Sequence, residues 1–153
     1  MQYVHIPYNY NTTSKDVKQY RKFFDNHTKK NFIKWCAYKG LLNEHFTQEE
    51  INLAKKGTLP KQYNIHHILP ISGAGHNNPT VNDFSNLCII SKKLHIYINT
   101  NYFIPQIQKG VPTLKIPYLP QIAVSEELYN TIKSNTEIIQ IKKRKKLSVV
   151  NGG

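Results

Sequence analysis

The segment YNIHHILPI, Tyr63 to Ile71, sets two imidazoles side by side in an otherwise apolar run of strand length. Neighbouring strand residues point to opposite faces, so one of the two must be tolerated away from a simple core. Gly73, Gly75, Asn77, Asn78 and Pro79 then mark a loop. A second short strand is predicted over Leu87–Ile90, and Ser91 is placed to cap a helix carrying Leu94, His95, Ile98 and Asn99. The order strand, loop, strand, helix leaves few ways to fold this part of the chain.

His95 and Asn99 stand four apart and share one face of that helix, a spacing that lets both approach one ion. His66, at a strand end, can supply a third ligand, leaving coordination positions for water and phosphate oxygens. Adjacent residues on an extended chain cannot easily bind one ion, so the doublet implies a division of labour. His66 ligates, and His67 takes a proton from an attacking water. An imidazole of ordinary pKa about 6.5 suits that task near neutrality, provided its second nitrogen is held by a hydrogen bond. The chemistry that fits is phosphodiester hydrolysis. A lone histidine is more often a hydrogen-bonded core or surface residue, and His5, His27 and His45, with no partners at ligand spacing, are read that way.

The stretch IHHILPISGAGHNNPTVNDFSNLCIISKKLHIYIN resembles the HNH nuclease motif of the ββα-metal superfamily. It carries the His pair, a proline, a Gly-bearing loop, Asn-Leu and a His-bearing helix in the motif's order. The resemblance implies His66 and His95 as metal ligands, Asn99 at the position of a further ligand, His67 as general base, and Asn86 as the asparagine that pins the loop behind the base. It also implies one divalent ion. The amide at Asn99 moves the expectation towards Mg²⁺ or Mn²⁺, with Zn²⁺ or Ni²⁺ next. Ala74 interrupts the usual Gly-Gly, and HNNPTV lengthens the loop. His76 in that loop is either a substrate contact or an exposed loop residue. Asp83 is a turn residue or an outer partner of the site. Lys92 and Lys93 are expected to hold phosphates. The lead-in FTQEEINLAKKGTLPKQYNIHH looks like that of HNH domains in bacterial polymorphic toxins.

A net charge of +12 and a pI near 9.7 suit a phosphate-rich partner, here DNA. Only Arg21 and Arg144 are arginine, and the lysine, asparagine and isoleucine bias has the look of an AT-rich genome, which discounts the charge. An inhibitor of a toxin with this charge is expected to be acidic. No apolar run reaches the roughly 18–20 residues that cross a bilayer, and the N-terminus lacks a charged-then-apolar signal, so a cytoplasmic protein is expected, in the target cell if it is an effector. Cys36 and Cys88 are isolated and expected to be buried free thiols.

The expected class is α+β: a ββα-metal core with N-terminal helices and a C-terminal helix/strand extension. One nuclease domain covers residues 1–141, with a helical lead-in over 14–57, the core over 62–102 and the extension over 103–141, and a basic tail comes after it over 142–153. Within the domain, Ser14 caps a helical stretch that ends at Gly40 and is split near Asn26–Lys30. Thr47 and Glu50 form a capping box, and Pro105, Pro112, Pro117 and Pro120 break the chain into extended pieces. Ser125 opens a last helix to Asn135, and Glu137–Ile141 reads as a strand. The function expected is a metal-dependent endonuclease of low sequence specificity. The alternatives are a non-catalytic nucleic-acid-binding module of the same fold and an RNase using the same site.

Overall fold

A computed structural model describes the backbone of residues 1–152, and the side chains of these except Ile141, Lys143 and residues 146–152. The chain is mixed α+β with two small sheets. Its order is β1 (Tyr3–Pro7), α1 (Ser14–Phe23), α2 (Lys29–Tyr38), α3 (Gln48–Ala54), β2 (Tyr63–His67), β3 (Leu87–Ser91), α4 (Lys92–Ile98), α5 (Ile104–Lys109), β4 (Thr113–Pro117), β5 (Ile122–Ala123) and α6 (Glu126–Gly152).

β2 and β3 form an antiparallel hairpin, with His66 opposite Cys88 and His67 opposite Leu87. The hydroxyl of Ser91 accepts from the Leu94 N–H and turns β3 directly into α4. Leu94 and Ile98 on α4 and Cys88 and Ile90 on β3 are buried in one cluster, which welds the helix to the hairpin. The other face of β3, through Leu87 and Ile89, packs on Phe32, Ile33 and Cys36 of α2. Both cysteines are buried free thiols, and burial pushes each up to about 12.

α1 starts at its expected cap, so the true cap lies one residue earlier. Thr13, not Ser14, is the N-cap, in a reciprocal box with Asp16. The expected split near Asn26–Lys30 is a π-helical turn, Phe24–Thr28, and α1 runs on into α2. A second π turn, Asn99–Phe103, joins α4 to α5. Pro105 therefore does not break the chain. It follows directly on the π turn, which closes with the Ile104 N–H on the Asn99 carbonyl, and the helix runs on past a residue that has no N–H to give.

The segment after residue 102 is not an appendage. β4 pairs antiparallel with β1, bringing Leu114 opposite Ile6, and β5 adds to β3 in parallel through Ile89–Ile122. The expected strand over Glu137–Ile141 is absent, because α6 continues past Asn135 through it. Neither glycine nor proline interrupts residues 126–151, and Ile132 and Thr136 are buried along the helix while Ile138 and Ile139 stay exposed. Lys142, Arg144 and Lys145 of the expected basic tail are exposed on the same helix.

Candidate active site

His66 and His67 end β2, and both are buried, at 4% and 8% exposure. Alternation sends them to different neighbours. The His66 ring lies edge-on to His95, with ring centres 5.2 Å apart, and to Phe103 at 5.4 Å. The His67 ring meets Phe24 at 4.7 Å. Both nevertheless line one cavity of about 240 Å³, together with His95, Asn99, Arg21 and Ser72. The four groups on which the sequence reading rests, His66, His67, His95 and Asn99, thus meet in one place.

His66 carries the clearest chemical signal. Its Nε2 is buried and no group among the described residues hydrogen-bonds to it. A buried polar atom without a partner is destabilising by about 1–3 kcal/mol, and such groups are rare in folded proteins. Burial, with the nearby His95 and His67, holds the His66 imidazole down to about 3, so it is neutral with its lone pair available. His95 is likewise lowered by burial. Its Nδ1 lies 3.2 Å from the Asn64 side-chain amide.

His67 is held by a residue the sequence reading did not single out. Its Nε2 lies 2.9 Å from Oδ1 of Asn82. The Nδ2 of that buried amide donates to the Tyr20 carbonyl at 3.1 Å. A carbonyl only accepts, so the amide orientation is set and Oδ1 must face the imidazole. Nε2 of His67 is then the N–H donor, and the lone pair sits on Nδ1. Burial lowers the His67 pKa; the Asn82 bond opposes this, and the Arg21 charge adds to it.

Asn86 sits under the loop that leaves the doublet. Its Oδ1 accepts from the Leu69 N–H at 2.8 Å, and its Nδ2 donates to the carbonyls of Leu69 and Val81 at 3.1 and 2.8 Å. One side chain thus ties the chain leaving β2 to the segment carrying Asn82.

The three residues expected to bind substrate do not line the cavity. Lys93 faces α6, where it pairs with Glu126 and lies 4.5 Å from the centre of the Tyr129 ring. Lys92 is exposed in the first turn of α4. His76 donates to Asp16 at 2.5 Å, an ion pair when its imidazole is charged, which braces the loop against the start of α1. Sequence spacing put the lysines near His95 but could not show which side of α4 they occupy. The cation that does line the cavity is Arg21. It stands one helical turn from Val17, which also lines the cavity.

The donors available to an ion are two neutral imidazoles and one amide. Among the described residues, no three His, Cys, Asp or Glu side chains are placed together to hold one metal ion. The set fits a divalent ion only with coordination positions left open, and the orphaned Nε2 of His66 is what such an ion would satisfy.

Over 121 residues, 30% are identical to an uncharacterized protein of Escherichia coli strain K12, YhhZ. The match covers 79% of this chain but only 29% of the relative's length. No described family and no solved structure matches the chain. No helix among the described residues is long and apolar enough to cross a membrane.

Proposed function

We propose that this chain is a metal-dependent endonuclease of the HNH type, with a ββα-metal core built from β2, β3 and α4, cutting DNA with low sequence specificity. The observation that carries the reading is the unpartnered, neutral Nε2 of buried His66, in one cavity with His95, Asn99 and an imidazole whose tautomer is fixed by Asn82. A purely structural His66 would be expected to have found a hydrogen bond.

Each residue has its own part in the work. His66, His95 and Asn99 hold one divalent ion, which supplies charge stabilisation to the phosphate and the leaving oxygen. Two imidazoles outweigh one amide in this set, so Mn²⁺, Zn²⁺ and Ni²⁺ stand beside Mg²⁺ as ions to test. Ligation by Nε2 of His95 requires a proton on its Nδ1. The Asn64 amide turns Nδ2 towards that nitrogen and would have to be turned by half a turn, presenting Oδ1, to hold the imidazole so. His67 takes the proton of the attacking water on Nδ1, while Nε2–H stays on Asn82. Arg21 offers its guanidinium to a phosphate oxygen, a role its planar donors suit better than lysine. Asn86 keeps the backbone beneath the base from moving.

A toxin or effector role accords with the lead-in to the doublet, with an acidic inhibitor as partner and the target cell's cytoplasm as the place of action. Plasmid nicking tests the activity. Cutting should need a divalent ion, stop with EDTA, and fall by about 10²–10⁴ in His67→Ala with DNA binding kept. Wild-type rates in His67→Ala would refute the role of the base. Tight binding without cutting under every ion would favour the non-catalytic module. Parallel digestion of single- and double-stranded DNA and RNA tests the choice of DNA over RNA.

A further inference from the structure

A second depression, of about 570 Å³, opens from the cavity and shares Arg21, Ile65 and His95 with it. It runs between the start of α2 and the turn entering β2. Four cations line it: Arg21, Lys29, Lys30 and Lys61; Asp25 is the one carboxylate among its lining residues. None of the four is in an ion pair with a described residue. The ion pairs of the described residues lie elsewhere, at His76–Asp16 and Lys93–Glu126. The Lys30 stem is closely seated, since a Cβ added to Gly57, at φ 93°, would come within 3.2 Å of its Cβ and Cγ. That glycine lets the turn after α3 press against Lys30 and form one wall of the groove.

Unpaired positive groups spread along a groove, rather than converging on a point, suit a chain of phosphates better than one small anion. We propose that this groove holds the phosphodiester backbone on one side of the bond placed in the cavity, so that the helical lead-in, and not the face bearing Lys92 and Lys93, carries the nucleic acid. The proposal rests on the nuclease reading for the position of that bond, but its test needs no cutting.

The full chain carrying His67→Ala is titrated in EDTA with a short DNA duplex and with RNA of the same sequence, at several salt concentrations. Replacing Lys29, Lys30 and Lys61 by Gln should make the log–log salt dependence on duplex DNA shallower by about 0.9 for each lysine. Replacing Lys109, Lys115 and Lys133, which are exposed and line neither depression, removes the same charge and should leave the slope as it was. Lys61→Gln alone, an exposed change, should lower the slope by about 0.9 if the triple variant folds poorly. A slope unchanged in the groove variants, equal losses in both triples, or no binding to either nucleic acid would overturn the proposal. A shallower slope with RNA alone would move the groove's ligand from DNA to RNA. Failure to cut under any divalent ion, with the slopes as expected, would refute the nuclease reading and leave the groove standing.

Discussion

At the scale of single residues, the site depends on which nitrogens are held and which are free. Asn82 acts through His67 by fixing its tautomer, so Asn82→Ala should lower the cutting rate by about 10–100-fold. It should leave the ion concentration needed for half-maximal activity unchanged. The same change strands the buried His67 Nε2–H, while the Tyr20 carbonyl keeps the Phe24 N–H, and should destabilise the fold by about 1–3 kcal/mol in urea. An unaltered rate in a folded Asn82→Ala would show that the tautomer is set otherwise. His66 gives a pH signature in metal-free protein. Its folded pKa, about 3, lies below the unfolded 6.5, so the unfolded chain binds the proton first. The stability is therefore fully present above pH 6.5 and is lost as pH falls towards 3, with a limiting slope of about 1.4 kcal/mol per pH unit. Urea midpoints in EDTA should drop on going from neutral to acidic buffer within that window, and His66→Phe should flatten that drop. An equally steep drop in His66→Phe would place the titrating group elsewhere.

At the scale of elements, both π turns begin at residues that reach the site: Phe24 against His67, and Asn99 lining the cavity. A π turn holds one more residue than an α turn and so rotates the helix beyond it, and such turns are frequent at functional sites. Here the second one carries Phe103 onto His66. The loop after the doublet is clamped from outside by the end of β1. Tyr8 donates to the Ser72 hydroxyl at 2.8 Å, and a Cβ added to Gly73 would fall 2.2 Å from the Tyr8 ring. Gly73→Ala must push that ring aside and should be destabilising by about 1–3 kcal/mol, with Tyr8→Ala in the same chain relieving part of it. Urea unfolding of the single and double variants checks this, and equal effects from independent sites would contradict the clamp. The hairpin and α4 were legible because their period, caps and loop residues agree locally. β1 and β4 were not, because each is short and its partner lies more than a hundred residues away. The Ile-rich stretch after Asn135 read as a strand from β-branched side chains. A helix already nucleated at Ser125 and meeting no breaker overrides that weak preference. Asn82 gave no signal, since one polar residue in an asparagine-rich loop has no periodicity to mark it.

At the scale of the molecule, the arrangement is a small hairpin–helix unit gripped on two sides. α1 supplies Arg21 and the Tyr20 carbonyl behind Asn82, and the π turn after it supplies Phe24; the C-terminal third closes the sheet through β5 and the core through Ile132. Residues from Val17 to Asn99 therefore meet at one cavity, which explains why the stretch from Ile65 to Asn99 that carries the resemblance named only part of the site. The net charge of +12 is not evenly useful: Lys93 is paired off on α6, while the cations beside the cavity come from the lead-in and the turn entering β2. The central claim is that His66, His95 and Asn99 surround one cation beside His67. Crystals grown with Mn²⁺ or Zn²⁺ and measured for anomalous scattering test it most directly. A single peak about 2.0–2.2 Å from nitrogens of both His66 and His95 is the expected result. A map with no peak there, and His66 Nε2 bonded instead to protein or water, would contradict it.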